Sequence, residues 1–255
     1  MFIIDAHTHL GYDYVFDYDA VEDELLKATR QHCISVAIVQ PNIVRPYLKD
    51  HIEIHDRIYA FCSKYPGQFY GMASLNPHFR PADYDKELIR CITKLGFVGV
   101  KISPIGHAAN PSSKDCMHVF EIANSLHIPV MVHTGTGIPF ADPINCVLAA
   151  KAFPQTKIIL AHAGGEMFFE QALLLAREYE NVFLEPSWLS VFLVKTAIES
   201  VGAGKIMFSS DIPENIAIEL EKYRTAVNDH AALDMIMNGT ARNVFNLKSY
   251  KENRE

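Results

Sequence analysis

Residues 2–9 read FIIDAHTH, an apolar run that ends in two histidines one residue apart. Side chains alternate across a strand, so His7 and His9 leave it on the same face. The pattern that follows, a short apolar run, a polar residue and then a longer amphipathic stretch, recurs along the chain. After Phe2–His9 comes helical spacing over Asp19–His32. Later pairs are Val36–Pro41 with Pro46–Tyr65, Phe69–Pro77 with Asp83–Leu95, and Phe97–Pro104 with Lys114–Leu126. Pro129–Gly135 with Asp142–Phe153, and Ile158–Gly165 with Met167–Tyr179, continue it. Asn181–Ser187 with Ser190–Val201, and Ile206–Pro213 with Asn215–Asp229, complete eight units. A helical segment over Ala231–Asn238 and a turn over Thr240–Phe245 are expected to close the chain.

Strands such as Val36–Val39 and Ile158–Ala161 are apolar on both faces, as parallel strands covered by helices are. Eight βα units in 255 residues predict an α/β fold of the TIM-like (β/α)8 barrel type, one domain over 1–255. The rival is an open doubly wound sheet. It would usually carry a Gly-x-Gly-x-x-Gly turn after the first strand, and none is present.

The net charge of −7 argues against a broad nucleic-acid-binding surface. No apolar run reaches the ~18 residues of a membrane span, and the first strand runs into polar residues unlike a signal peptide. Cys33, Cys62, Cys91, Cys116 and Cys146 are odd in number and contain no Cys-x-x-Cys pair. They read as reduced, mostly buried thiols of a cytoplasmic protein. The expected partner is a small-molecule substrate, with neither nucleic acid nor membrane; a homodimer is left open.

Polar residues gather at the C-terminal strand ends, where barrel active sites sit. His7 and His9 end the first strand, Lys101 the fourth, His133 the fifth, His162 the sixth, Glu185 the seventh and Asp211 the eighth. Neutral imidazole suits zinc and similar ions, and a carboxylate on an apolar strand is costly unless paired or ligating. The simplest alternatives are hydrogen-bonded core histidines and, for Asp211, a helix N-cap. Lys101 either pairs with Asp5 or Glu185, or is carboxylated and bridges two metals. Lys101, Trp188, Glu185 and Arg45 are the candidate substrate contacts, with Arg80 a second loop arginine. Gly164 and Gly165 allow a tight turn after His162. His32, His51, His55, His118, His127 and His230 lie in helical text and read as surface residues.

The segments IDAHTHL, GFVGVKISP, PVMVHTG, ILAHAGG, IMFSSDIP and IMNGTARNVFNL together resemble the amidohydrolase superfamily. The nearest branch is amidohydrolase 2, which includes aminocarboxymuconate-semialdehyde decarboxylase. The resemblance spans nearly the whole chain. It implies a divalent metal, most often zinc, held by His7, His9, His133 and Asp211, with His162 beside the metal-bound water. One metal is favoured, or two if Lys101 is carboxylated. The text Ser-Ser-Asp at 209–211 departs from the commoner Gly-Ser-Asp or Gly-Thr-Asp.

The expected activity is hydrolysis of an ester, lactone or amide of a small molecule. A bound metal would lower the pKa of its water from about 15.7 towards about 7, and Asp211 and His162 would orient that water and take its proton. The alternative is metal-dependent non-oxidative decarboxylation of a small carboxylic acid, which an arginine near the site would favour. A TatD-like nuclease is a further rival, disfavoured because that group has Glu where this chain has Lys101. A metal-binding barrel without catalysis is a third class.

Overall fold

The computed structural model describes residues 1–135 and 139–247. β1 (Ile4–Asp13) runs parallel to β3 (Val36–Pro41), which pairs with β4 (Phe69–Gly71). β5 (Ala73–Ser74) continues the same stretch beyond Met72, whose N–H bonds to the Val39 carbonyl at 2.8 Å. The ladder passes to β6 (Val100–Ile102), β7 (Val130–His133), β8 (Ile158–Ala161) and β9 (Val182–Glu185), all parallel.

Residues 206–211 close the ring. Met207 N–H donates to the Leu184 carbonyl at 3.1 Å on one side. On the other, Ala6 N–H reaches the Phe208 carbonyl at 3.0 Å and Asp211 N–H the His7 carbonyl at 2.8 Å. These bridges make a closed eight-stranded parallel barrel, as expected. The eighth strand is held by isolated bridges at Leu184–Ile206 and Thr8–Asp211 rather than by a full ladder.

Helices α1 (Glu22–Gln31), α2 (Leu48–Lys64), α3 (Pro81–Thr93), α4 (Pro104–His107), α5 (Lys114–Leu126) and α6 (Val147–Ala152) follow the earlier strands. α7 (Gly165–Glu178), α8 (Val191–Val201), α9 (Ile216–Ala226), α10 (His230–Asp234) and α11 (Thr240–Val244) follow the later ones. Helix α5 keeps its expected bounds because Ser113 caps it, accepting from Cys116 N–H at 3.3 Å. None of the described helices is long and apolar enough to cross a membrane. All five cysteines are free; Cys91, Cys116 and Cys146 are buried and Cys33 is exposed.

The core has two layers. Ile4, Ala6, Val36, Ile38, Met72, Met131, Ile159, Ala161 and Met207 form one cluster with Ala241, Val244 and Phe245 of the last helix and turn. Ala37, Val39, Val100, Val130, Leu160 and Leu184, the opposite parity of the strands, pack outward against the helices. A bulge in β1 matters for function. Asp5 pairs with Ala37 but Thr8 with Val39, so β1 carries one extra residue between them. Ile4 and Ala6 join the lumen layer below, and the bulge turns His7 and His9 inward above it. Bulges commonly re-aim side chains at sites in this way.

The first strand also runs four residues beyond its expected end. Gly11, Tyr12 and Asp13 pair antiparallel with β2 (Tyr18–Ala20), a hairpin the sequence reading had not expected. The Asp13 carboxylate ties down its tip, accepting Val15 and Phe16 N–H at 2.8 Å and Ile43 N–H at 3.1 Å.

Candidate active site

His7 Nδ1 lies 2.6 Å from Glu185 Oε2, and His9 Nδ1 lies 3.0 Å from the Pro41 carbonyl. Both partners only accept, so each Nδ1 carries the proton and each Nε2 is left with a lone pair. Those two Nε2 atoms stand 2.9 Å apart, and each is 3.3 Å from Asp211 Oδ1. Three acceptors so close need a positive charge among them, and the Lys101 ammonium meets only one, 3.1 Å from His7 Nε2. Donors about 2.0–2.2 Å from a divalent ion lie roughly 2.8–3.6 Å from one another in octahedral or tetrahedral arrangements. The donor set and its spacing fit a divalent metal. Burial and the Lys101 ammonium keep His7 well below its ordinary value, so it is neutral and fit to ligate.

The set is supported from behind. Glu185 is fully buried and accepts from His7, from His162 N–H at 3.2 Å, from Ser187 N–H at 2.8 Å and from the Ser209 hydroxyl. Asp5 accepts the Ser210 hydroxyl at 2.5 Å and its N–H at 3.0 Å, tying the first strand to the eighth. Burial raises Asp5 to about 7, against the opposing pull of those Ser210 bonds. Partners of this kind fix ring orientation and tautomer. His162 and Asp211 adopt φ of 61° and 70°, an unfavourable region for residues with a Cβ that concentrates at functional sites.

A cavity of about 230 Å³ opens above the set, lined by His9, Lys101, His133, His162 and Asp211 at its polar end. Phe16, Ile43, Ile105 and Ile212 supply apolar walls. His162 Nδ1 is 2.8 Å from the Ser187 hydroxyl, and burial pushes the ring down to about 4. His133 packs edge-on to His162 with ring centroids 4.7 Å apart, and its buried Nε2 has no hydrogen-bond partner among the described residues. It stands outside the compact group His7, His9 and Asp211, whose donor atoms all lie within 4.8 Å of one another.

Several expectations need correction. Lys101 pairs with neither Asp5 nor Glu185. Its Nζ lies 3.1 Å from His7 Nε2 and 3.5 Å from Met131 Sδ, and burial pulls its pKa down to about 8. Glu185 does not face the cavity, because all its surface is spent on the four donors beneath His7. Arg45 is exposed and sits over the Tyr14 ring, 4.4 Å from its centroid, and Arg80 is exposed and bound to Asp83 at 2.8 Å. Neither lines the cavity. Trp188 is half-exposed, and its indole N–H donates to Asp211 Oδ2 at 2.7 Å. His51 and His55 are buried rather than on the surface. One turn apart on α2, His51 Nδ1 donates to the Ser74 carbonyl at 2.9 Å, and His55 Nε2 accepts the Ser74 N–H at 3.1 Å because its Nδ1 faces the Glu87 carboxylate at 2.8 Å. The sequence reading missed Ser74 and the hairpin residues Phe16 and Tyr18, which also line the cavity.

A closed parallel barrel whose strand ends present His-x-His, two further histidines and an aspartate around one cavity defines a metal-dependent barrel enzyme of the amidohydrolase type. The amidohydrolase 2 family model, described as amidohydrolase, matches residues 4–247, and the chain belongs to that family. Among solved structures, 2,6-dihydroxybenzoate decarboxylase with 2,6-dihydroxybenzoate bound is similar at 19% identity. Its TM-score is 0.80, over 98% of this chain and 100% of that one. A dihydroxybenzoic acid decarboxylase from Polaromonas sp. JS666, holding manganese and 2-nitroresorcinol, is similar at 17% identity and TM-score 0.78, over 100% and 99%. 4-Oxalomesaconate hydratase from Rhodopseudomonas palustris is similar at 18% identity and TM-score 0.74, over 96% and 95%.

Proposed function

We propose that the chain is a metal-dependent, non-oxidative decarboxylase of a small hydroxylated aromatic or enol-type acid. The observation that carries the reading is Lys101. Its ammonium is buried at the polar end of the cavity, with no carboxylate in ion-pair range among the described residues. Burying an unpaired charge costs several kcal/mol, about what a counter-ion must offset. A substrate carboxylate would supply that counter-ion, and the apolar walls suit a flat hydrocarbon body. The decarboxylases among the structural relatives support this reading over the hydrolysis expected first.

The fitted ion, held by His7, His9 and Asp211, would supply an electron sink for the bond that breaks. Zinc suits these donors, and manganese occupies the Polaromonas relative. Lys101 orients the carboxylate. The carbon–carbon bond breaks, carbon dioxide leaves, and a proton takes its place on carbon. His162, fixed through Nδ1 by Ser187, and Asp211 both border the cavity and are the groups placed to move that proton. Hydrolysis is the second reading. It is favoured by the absence of Arg45 and Arg80 from the cavity lining, and His162 and Asp211 would then act on a water.

The test is incubation of metal-loaded protein with 13C-carboxyl dihydroxybenzoates and, separately, with aryl esters and lactones. Carbon dioxide release is expected, with Lys101→Met still binding metal but raising KM about tenfold or more, the loss of one charge-assisted contact. Acid release from a lactone, with no carbon dioxide from any acid, would establish hydrolysis instead.

A further inference from the structure

A buried clamp outside the cavity grips the two loops that carry Trp188 and Asp211. Glu219 of α9 is 1% exposed. Its Oε1 accepts the backbone N–H of Trp188 at 2.9 Å and the side-chain amide of Asn215 at 3.2 Å. Lys222 approaches its Oε2 within 2.5 Å. Asn215 also donates to the Ser210 carbonyl at 3.0 Å, and Lys222 to the carbonyls of Pro186 and Leu189 at 3.3 and 3.0 Å. One carboxylate thus anchors both the loop after β9 and the loop after the eighth strand.

Both loops are held in an unfavourable backbone state. Trp188 has φ 69° and Asp211 φ 70°, a conformation that side chains with a Cβ resist. What the two conformations accomplish together is a single contact. They bring the indole N–H to Asp211 Oδ2 at 2.7 Å, while Oδ1 lies 3.3 Å from both histidine Nε2 atoms. The carboxylate is divided, one oxygen to the indole and one to the histidines. Core packing does not explain the indole, which is 52% exposed.

We propose that Trp188 is a positioning residue that confines Asp211 to ligation through one oxygen, and thereby sets the coordination of the bound divalent ion. The proposal rests on the reading of Asp211 as a ligand. A carboxylate free at both oxygens can chelate an ion, as it does with larger cations. Occupying Oδ2 with an indole donor prevents this and keeps a coordination position open for the reacting molecule. The clamp at Glu219 explains how two strained loops hold that register.

The test replaces the native metal with Co2+, whose visible absorption is intense in four-coordinate sites and weak in five- or six-coordinate ones. Trp188→Phe keeps a ring and deletes the N–H. It is expected to lower the Co2+ visible absorption, because the freed Oδ2 adds a donor to the ion, with the accompanying change in the Kd for Zn2+ read by chelator competition. Asp211→Asn separates the two layers of the argument. If that variant binds Co2+ as tightly as the wild type, the ligand reading itself fails. If it loses Co2+ while Trp188→Phe keeps the wild-type spectrum and affinity, the positioning role alone fails. Trp188 is the only tryptophan, so wild-type emission gives a second measurement that needs no folded Trp188 variant. The emission is expected to shift with Zn2+ and saturate with site occupancy, with no shift in Asp211→Asn. An unchanged wild-type emission at full occupancy would overturn the proposal.

Discussion

Glu185→Gln replaces one carboxylate oxygen by NH2 with almost no change of shape, and the geometry dictates the consequence. The native carboxylate accepts four donors: His7 Nδ1–H, His162 N–H, Ser187 N–H and the Ser209 hydroxyl. An amide has one accepting oxygen and an NH2 group that only donates. With NH2 in the place of Oε2, His7 could accept it only by moving its own proton to Nε2. That would put a hydrogen where the lone pair now faces Asp211 and His9. With NH2 in the place of Oε1, the Ser209 hydroxyl can turn to accept, but Ser187 N–H cannot. One buried donor is left unpaired in either orientation, at about 1–3 kcal/mol. For a chain of this length that lowers Tm by roughly 2–10 °C. Metal affinity should fall about ten- to a hundredfold, equivalent to about 1.4–2.7 kcal/mol. Chelator competition reads the affinity, and thermal unfolding with and without metal reads the stability. A variant with wild-type Kd would refute the reasoning, because neither the negative charge of Glu185 nor its hold on the His7 proton would then matter to the ligand.

His9→Ala should leave far-ultraviolet circular dichroism unchanged while abolishing metal retention under chelator challenge; full occupancy would remove His9 from the ligand set. A pH effect is expected from a different place, His51. Burial pushes it down to about 4 from 6.5, although its bond to the Ser74 carbonyl pulls the other way. The unfolded chain therefore binds a proton below pH 6.5 that the folded chain refuses until about pH 4. Stability should fall as pH drops through that window, by up to about 3 kcal/mol from this group. In His51→Gln, which keeps a donor for Ser74, urea unfolding across the window should show a correspondingly flatter dependence; an unaltered slope would mean His51 is not the source.

The barrel was legible because its strands are short, continuous and apolar. Val130–Val132 and Ile158–Ala161 could sit only between helices, and α5 carries its own cap at Ser113. The β1–β2 hairpin was missed although residues 12–19 read YDYVFDYD, with tyrosines and aspartates interleaved in a way that suits a strand pair. The bulge between Asp5 and Thr8 leaves no mark in composition, because it depends on which Cα faces which across β3. His51 and His55 were misplaced for a related reason. They share a helix face with Ile54 and Ile58, both buried, and that stripe was the available signal that they face inward.

The candidate site divides along the same line. Residues at strand ends can be read from sequence, since the end of an apolar run is a local feature. Their supporting partners cannot, since Glu185 lies 178 residues from His7, and Ser210 lies 205 from Asp5. The Ser-Ser-Asp text shows how far this reaches. It looked only like a departure from the family's commoner Gly-Ser-Asp. In the structure Ser209 donates to Glu185 and Ser210 to Asp5, so the eighth strand supplies donors to the carboxylate behind His7 and to the carboxylate that anchors β1. A glycine at 209 would leave Glu185 one donor short in a fully buried position, where each missing partner costs about 1–3 kcal/mol. The departure is therefore part of the support for His7. It also implies that Glu185 and Ser209 should vary together: Ser209→Gly should weaken metal binding in the presence of Glu185 and have little further effect in Glu185→Gln. A double-mutant cycle on metal affinity measures that coupling directly. Additive losses would mean that Ser209 supports the fold alone.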